Sequence, residues 1–170
     1  MKMLRCRGLI LSLLLACASA PAFAHDDPVT KDELKELKGR WLDEKGQFKD
    51  IEKIAKQWTA AAAKDNQDKM HAIDVKLLEW RRGVLEDLRE DGVSTREVGV
   101  DTGAPAQQRL RDLVVELRDN QVRFDDETAP KAAYKHKSEL LSLIVAEMSA
   151  RVDRYEKRYE NHKDRYKAQK

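Results

Sequence analysis

The 170-residue chain contains few of the residues that interrupt helices or cross-link domains. It has seven glycines, four prolines and two cysteines, and both cysteines, Cys6 and Cys17, lie near the N-terminus. Few glycines and prolines favour a small number of long helices over many short strands joined by turns. Beyond Cys17 the chain can form no disulfide and use no cysteine nucleophile, so packing alone must stabilise it.

Motifs that mark catalytic or nucleotide-binding sites are also missing. The sequence has no glycine-rich phosphate loop, no paired-histidine zinc motif, no haem-attachment motif and no serine elbow. Its four histidines are scattered, and no serine stands in a context that marks a nucleophile. We therefore predict that the protein is not an enzyme and has no cofactor. An enzyme with an unrecognised site is the last of three functional alternatives.

The first 24 residues have the layout of a secretory signal peptide. Basic residues precede an apolar stretch at 9–16, and small residues at 22–24 form a cleavage site. That stretch is shorter than the roughly 20 residues that a membrane-spanning helix needs, and no later stretch is apolar enough. We expect cleavage after Ala24 and a periplasmic or secreted protein without a transmembrane segment. A lipobox-like sequence ending at Cys17 offers an alternative, a lipoprotein anchored through that cysteine.

Charge is segregated along the chain that remains after cleavage. Residues 25–170 carry 30 basic and 31 acidic side chains, a net charge of −1. Residues 131–170 have 11 basic and 6 acidic side chains, whereas residues 25–130 have 19 and 25. Such a division favours pairing of the two parts with each other over nucleic-acid binding, which export also disfavours.

Apolar residues recur every three or four positions along most of the chain, which is typical of helices that pack on one another. The first stripe lapses once, at Glu44, and comprises Leu34, Leu37, Trp41, Phe48, Ile51, Ala55, Trp58 and Ala62. We predict an all-α fold, an elongated bundle or hairpin of three to four long helices with coiled-coil-like packing, forming a single domain over 25–170. The expected helices are about 31–63, 66–91, 105–124 and 131–167, with a loop at 92–104.

Two segments leave alternatives open. Glycines at 39 and 46, with turn-forming residues between them, allow a turn or short hairpin within residues 39–48 in place of continuous helix. Near residues 64–66 the apolar stripe shifts phase, so the first helix either stutters there or ends in a turn before a second helix. We expect the last 20 residues, which have no aliphatic side chain larger than Val152, to project as a solvated helix.

Asp68, His71 and Asp74 form the candidate metal site. Their three-residue spacing brings neighbouring side chains together on a helix, and His136 of a returning helix could add a second imidazole. The competing interpretation, which we favour, is that the scattered histidines are ordinary surface residues.

Aromatic side chains are the candidate contacts for a partner. These are Trp41, Trp58, Tyr155, Tyr159 and Tyr166. The tryptophans would also fit a buried seam between helices, and we favour that interpretation for them. The tyrosines lie among arginines of the basic C-terminal helix, so this helix could meet an anionic envelope surface, although a solvated face accounts for it as well.

Together these patterns predict an exported, soluble, helical interaction protein with a binding, scaffold or chaperone-like role in the bacterial envelope. A protein partner or self-association is expected. A metal-binding or metal-responsive envelope protein is the second alternative.

Overall fold

The computed structural model describes residues 28–98, 104–119 and 131–170. These residues form four α-helices and no strand: α1 (Lys31–Ala62), α2 (Gln67–Val98), α3 (Ala104–Asp119) and α4 (Lys131–Ala168). The predicted all-α class is therefore confirmed. At 1.5 Å per residue the helices run from about 24 Å for α3 to about 57 Å for α4. The expected signal peptide and Cys17 lie outside the described residues.

A capping box starts α1. The Glu33 amide donates to the Thr30 hydroxyl at 3.2 Å, and the Thr30 amide donates to the Glu33 carboxylate at 2.7 Å. Each contact satisfies a backbone donor that the first helical turn leaves without a partner.

Continuous helix spans the segment that the sequence left open between residues 39 and 48. Each of its two glycines weakens a helix by about 1 kcal/mol relative to alanine, but packing of the segment opposes that cost. Phe48 packs against the core, and the Trp80 indole of α2 donates to the Gln47 carbonyl at 3.0 Å. Tertiary contacts therefore override the local turn preference.

The phase shift near residue 65 marks a turn between α1 and α2. Asp65 has a φ of 48°, in the left-handed region that ends many helices. The Asn66 side chain then accepts from the Lys69 amide at 2.9 Å and caps the start of α2. The short turn makes α1 and α2 an antiparallel hairpin.

The predicted loop at 92–104 is wrong over much of its length. Helix α2 continues to Val98, and α3 begins at Ala104. A glycine such as Gly92 lowers helix propensity, but extending an existing helix adds a hydrogen bond for each residue, so one weak position need not end it. Residues 99–103 lie outside the described residues, as do 120–124 of the third predicted helix, which is described only to Asp119.

The helices form a bundle in which α1 packs against α2 and α4, and α3 packs against α2 and α4. Side-chain contacts show that α4 runs antiparallel to α1, because Trp58 meets Tyr134 at one end and Trp41 meets Tyr159 at the other. The helix stripes merge in one core. Its fully buried large side chains are Ile51, Trp58, Met70, Val84, Leu88, Leu110, Val114, Leu141, Ile144 and Met148.

Candidate functional site

A buried ion pair joins α1 to α4. The guanidinium of Arg151 donates from Nε to one Glu44 oxygen at 2.7 Å and from Nη2 to the other at 2.5 Å. Both residues are buried, at 6% exposure for Glu44 and 3% for Arg151. Glu44, the one position that interrupts the apolar stripe of α1, is therefore a buried carboxylate with a cationic partner. The predicted pairing between the acidic part of the chain (residues 25–130) and the basic part (residues 131–170) is confirmed for this contact.

A second buried ion pair joins α4 to α2 beside a tryptophan of α1. Lys137 Nζ donates to Asp74 Oδ1 at 2.6 Å and lies 4.9 Å from the centre of the Trp58 ring. Burial lowers the pKa of Lys137 from its ordinary value of 10.5, and the Asp74 carboxylate opposes part of that effect. Asp74 Oδ2 and Trp58 Nε1 are buried without a hydrogen-bond partner among the described residues.

An acidic cleft of about 210 Å³ opens between α1, α2 and α4, near the N-terminal half of α1. It is lined by Arg40, Asp43, Glu44, Gln47, Asp87, Glu90 and Tyr155. The amide of Gln47 donates to Asp87, so one wall is fixed by a hydrogen bond between α1 and α2. Asp43 and Glu90 are exposed at the cleft. Because Glu44 is already paired with Arg151, the other carboxylates of the lining, Asp43, Asp87 and Glu90, are the ones that outnumber the cation Arg40. This excess of negative charge suits a cationic ligand.

The aromatic candidates have different environments. Trp41 and Tyr159 are partly buried and stack with ring centroids 5.7 Å apart and planes 13° from parallel. Trp58 has 0% exposure and meets the edge of Tyr134 in the core, which removes it from any surface that a partner could reach. For Trp58 the favoured interpretation as a buried seam residue is confirmed.

The remaining tyrosines of α4 pair with cationic side chains. Tyr155 lines the acidic cleft and lies 5.2 Å from the Arg151 guanidinium, while Lys170 lies 4.7 Å from the Tyr166 ring. The expected solvated projection of the last 20 residues is wrong at least as far as Tyr159. That tyrosine stacks on α1, so the tyrosine stripe of α4 meets a helix of its own chain.

The structure does not assemble the candidate metal site. Asp68 and His71 are exposed on α2, whereas Asp74 lies on the buried side and accepts from Lys137. His136 lies 3.6 Å from Glu116 of α3. Across the described ranges, no three His, Cys, Asp or Glu side chains converge so that they could hold a metal ion.

The two buried ion pairs were not predicted from the sequence. Glu147 and Arg151 lie four residues apart on α4, a spacing at which opposite charges can pair along a helix. Instead Arg151 turns to Glu44, and Glu147 pairs with Arg109 of α3 at 2.9 Å. The one sequence feature that could have predicted a buried ion pair is Glu44, because a charged residue on an otherwise apolar stripe needs a buried partner.

None of the described helices combines the length and the apolar composition that crossing a bilayer requires. Comparison with known protein families, curated proteins and solved structures yields no match to this chain.

Proposed function

We propose that the protein is an exported, non-catalytic interaction protein of the periplasm or the secreted space, which binds a basic segment of a protein partner in the acidic cleft. The observation that carries the proposal is the cleft lining. Asp43 of α1 and Glu90 of α2 are both exposed and line the cleft, and the half-buried ring of Tyr155 of α4 lines it as well. Carboxylates beside an aromatic ring suit an arginine or lysine side chain, which can form an ion pair and lie against the ring.

Two further observations support binding over chemistry at this cleft. Its lining contains no histidine, serine or cysteine. A catalytic pocket commonly combines apolar walls with a few convergent polar groups, whereas this cleft is mainly charged. The layout of residues 1–24 supports the location, since these residues have the basic, apolar and small-residue segments that are typical of a secretory signal peptide.

The surface of the protein suits one specific protein partner better than it suits the unfolded proteins that a chaperone binds. Among the residues whose burial the structure describes, the exposed large aliphatic side chains are distributed over three helices: Leu42 on α1, Val75 and Leu78 on α2, and Leu143 on α4. Single exposed aliphatic residues are common on folded proteins, whereas a binder of unfolded chains needs a contiguous apolar patch.

The test is binding of a fluorescent arginine- and lysine-rich peptide to the processed protein, measured by anisotropy at low ionic strength. Asp43→Asn with Glu90→Gln should weaken binding about tenfold, because two exposed charge pairs contribute up to about 1 kcal/mol each. Light scattering of the same samples separates partner binding from self-association.

The matched control changes Asp50→Asn and Glu79→Gln, two exposed carboxylates on the same two helices but outside the cleft. It alters the net charge equally and should retain wild-type affinity. Equal loss in both double variants would mean that overall charge attracts the peptide, and the proposed cleft would be wrong.

A further inference from the structure

Helix α1 lies at the corner of the bundle diagonally opposite α3. Among the described residues it packs against α2 and α4 and has no contact with α3. The segments 99–103 and 120–130 join α3 to α2 and to α4, not to α1. Cleavage after Ala24 would leave three residues before Pro28, which span at most about 11 Å. One side of α1 therefore points away from the rest of the bundle along most of the helix.

Six lysines line this outward side of α1. At 3.6 residues per turn they lie within about 80° of one another around the helix axis and extend over about 32 Å. Ile51 and Trp58, which are buried in the core, lie about 120° or more from every one of them. All six side chains are exposed, and we call them the lysine face: Lys35, Lys38, Lys45, Lys49, Lys53 and Lys56.

Carboxylates leave most of the lysine face without a counter-charge. Lys56 pairs with Glu52 at 2.9 Å, and Lys45 lies 5.2 Å from the centre of the Trp41 ring. The other four lysines form no ion pair among the described residues. Apart from Glu52, the carboxylates of α1 lie about 60° or more outside the face. Six lysines and one carboxylate give this side of the helix a net charge of +5.

Helix stability does not account for the lysine face. Lys45, Lys49 and Lys53 follow one another at four-residue steps, at which like charges lie side by side and destabilise a helix. Lysines alternating with glutamates at this spacing would stabilise it instead. A ligand that carries negative charge would offset the repulsion.

A leucine lies at the centre of the lysine face. Leu42 is 50% exposed and occupies the same arc of α1 as the lysines. Gly39 and Gly46, about one turn before and after it, have no side chain that could cover it. An apolar side chain among ammonium groups suits the interface of a lipid bilayer, where it leaves water beside the headgroups. A soluble polyanion offers it no such environment, so Leu42 favours a lipid surface among the anionic ligands that lysines bind.

We propose that the lysine face docks the protein onto an anionic lipid surface, with its ammonium groups at the lipid phosphates and Leu42 at the interface. Lysine suits this contact because it carries a point charge on a flexible stem, whose methylene groups can lie along apolar surface. A flat surface can reach the whole row because α1 lies at a corner of the bundle. The binding does not depend on the acidic cleft, since Asp43 lies about 80° or more from the lysines around the helix axis.

Vesicle flotation of a protein comprising residues 25–170 tests the proposal. Vesicles containing phosphatidylglycerol should carry the wild type at low ionic strength, where screening is weak, and vesicles of phosphatidylcholine alone should not. Changing Lys38, Lys49 and Lys53 to glutamine should lower the partition coefficient about 100-fold, because each basic residue near an anionic surface contributes roughly fivefold. Circular dichroism checks that the variant stays folded.

The matched control changes Lys69, Lys76 and Lys157 to glutamine, three exposed lysines of α2 and α4 that give the same change in net charge. This variant should bind vesicles as the wild type does. Equal loss in both triple variants, or no binding by the wild type, would overturn the proposal.

Leu42→Gln tests whether the ligand is lipid or another polyanion. It should lower the partition coefficient about fivefold, because only the exposed half of the leucine can leave water on binding. Soluble inorganic polyphosphate is the comparison ligand, and its binding should be unaffected. A Leu42→Gln variant that binds vesicles as tightly as the wild type, or a wild type that prefers polyphosphate to the vesicles, would overturn the assignment to lipid.

Discussion

Two buried ion pairs, Glu44 with Arg151 and Asp74 with Lys137, place charged groups where the helix stripes would otherwise place apolar ones. Burying such a pair costs hydration of both ions, which their mutual attraction offsets only when the geometry is good. The bidentate contact of Arg151 meets that condition. Removing one partner leaves the other charge buried without compensation, which is the costlier state.

Arg151→Met should therefore destabilise the protein by about 3–5 kcal/mol, measured as the free energy of unfolding in urea. The matched control is Arg154→Met, which changes an exposed arginine three residues away and should alter stability by no more than about 0.5 kcal/mol. A second variant, Glu44→Leu with Arg151→Met, should recover much of the loss. Similar small effects for Arg151→Met and Arg154→Met would contradict burial of the Glu44 pair.

Lys137 should make the free energy of unfolding depend on pH in the alkaline range. Burial lowers its pKa in the folded protein, so between that pKa and 10.5 the unfolded chain binds more protons than the folded one. The contribution of Lys137 to the free energy of unfolding must then rise with pH across that window. Urea unfolding of the wild type and of Asp74→Asn with Lys137→Met, from pH 8 upward, measures it as the difference between the two proteins. A difference that falls with pH would contradict the burial of the lysine.

At the scale of the element, α1 is continuous through residues 39–48, although the glycines and turn-forming residues of this segment disfavour a helix. A methyl group added at Gly46 would meet no atom within 4 Å, and the residue is exposed. Gly46→Ala should stabilise the protein by roughly 0.5–1 kcal/mol, because alanine favours helix and fits the space. Thermal unfolding monitored by circular dichroism measures the change. A destabilised variant would indicate a turn at Gly46 that needs glycine.

Helix positions were predictable from the sequence, whereas several ends and most side-chain partners were not. The start of α1 is recognisable from Thr30 and Glu33, because capping depends only on residues close in sequence. The end of α2 was missed, since Gly92 carries a local signal that helix propagation outweighs. The role of Arg151 was missed because both Glu147 and Glu44 could pair with it, and only the packing of α1 on α4 selects between them.

The candidate sites show the same difference between features set by nearby residues and features set by tertiary packing. The residues of the acidic cleft can be read from the sequence, but their assembly into one cleft cannot. Asp43 and Glu90 are 47 positions apart in the sequence and line the same cleft only because α1 and α2 form a hairpin. The structure does not bring the candidate metal ligands together, for the converse reason. Helical spacing places Asp74 near His71, but Asp74 forms an ion pair with Lys137 of α4.

At the scale of the whole molecule, α3 and α4 hold the α1–α2 hairpin through cationic donors. Arg151 donates to Glu44, Lys137 donates to Asp74, and Arg111 of α3 donates to the Leu88 carbonyl of α2. The core is shared by all four helices. We therefore expect the bundle to unfold as one cooperative unit, because α4 cannot leave without exposing the core of α1 and α2.

Native-state hydrogen exchange of a protein comprising residues 25–170, and of its Arg151→Met variant, tests this claim most directly. The slowest amides of α1, near Ile51, and of α4, near Ile144, should report the same opening free energy in the wild type. That free energy should fall by the same amount in both helices of the variant. Retention of wild-type protection in α1 and α2 while α4 exchanges freely would contradict a single cooperative bundle.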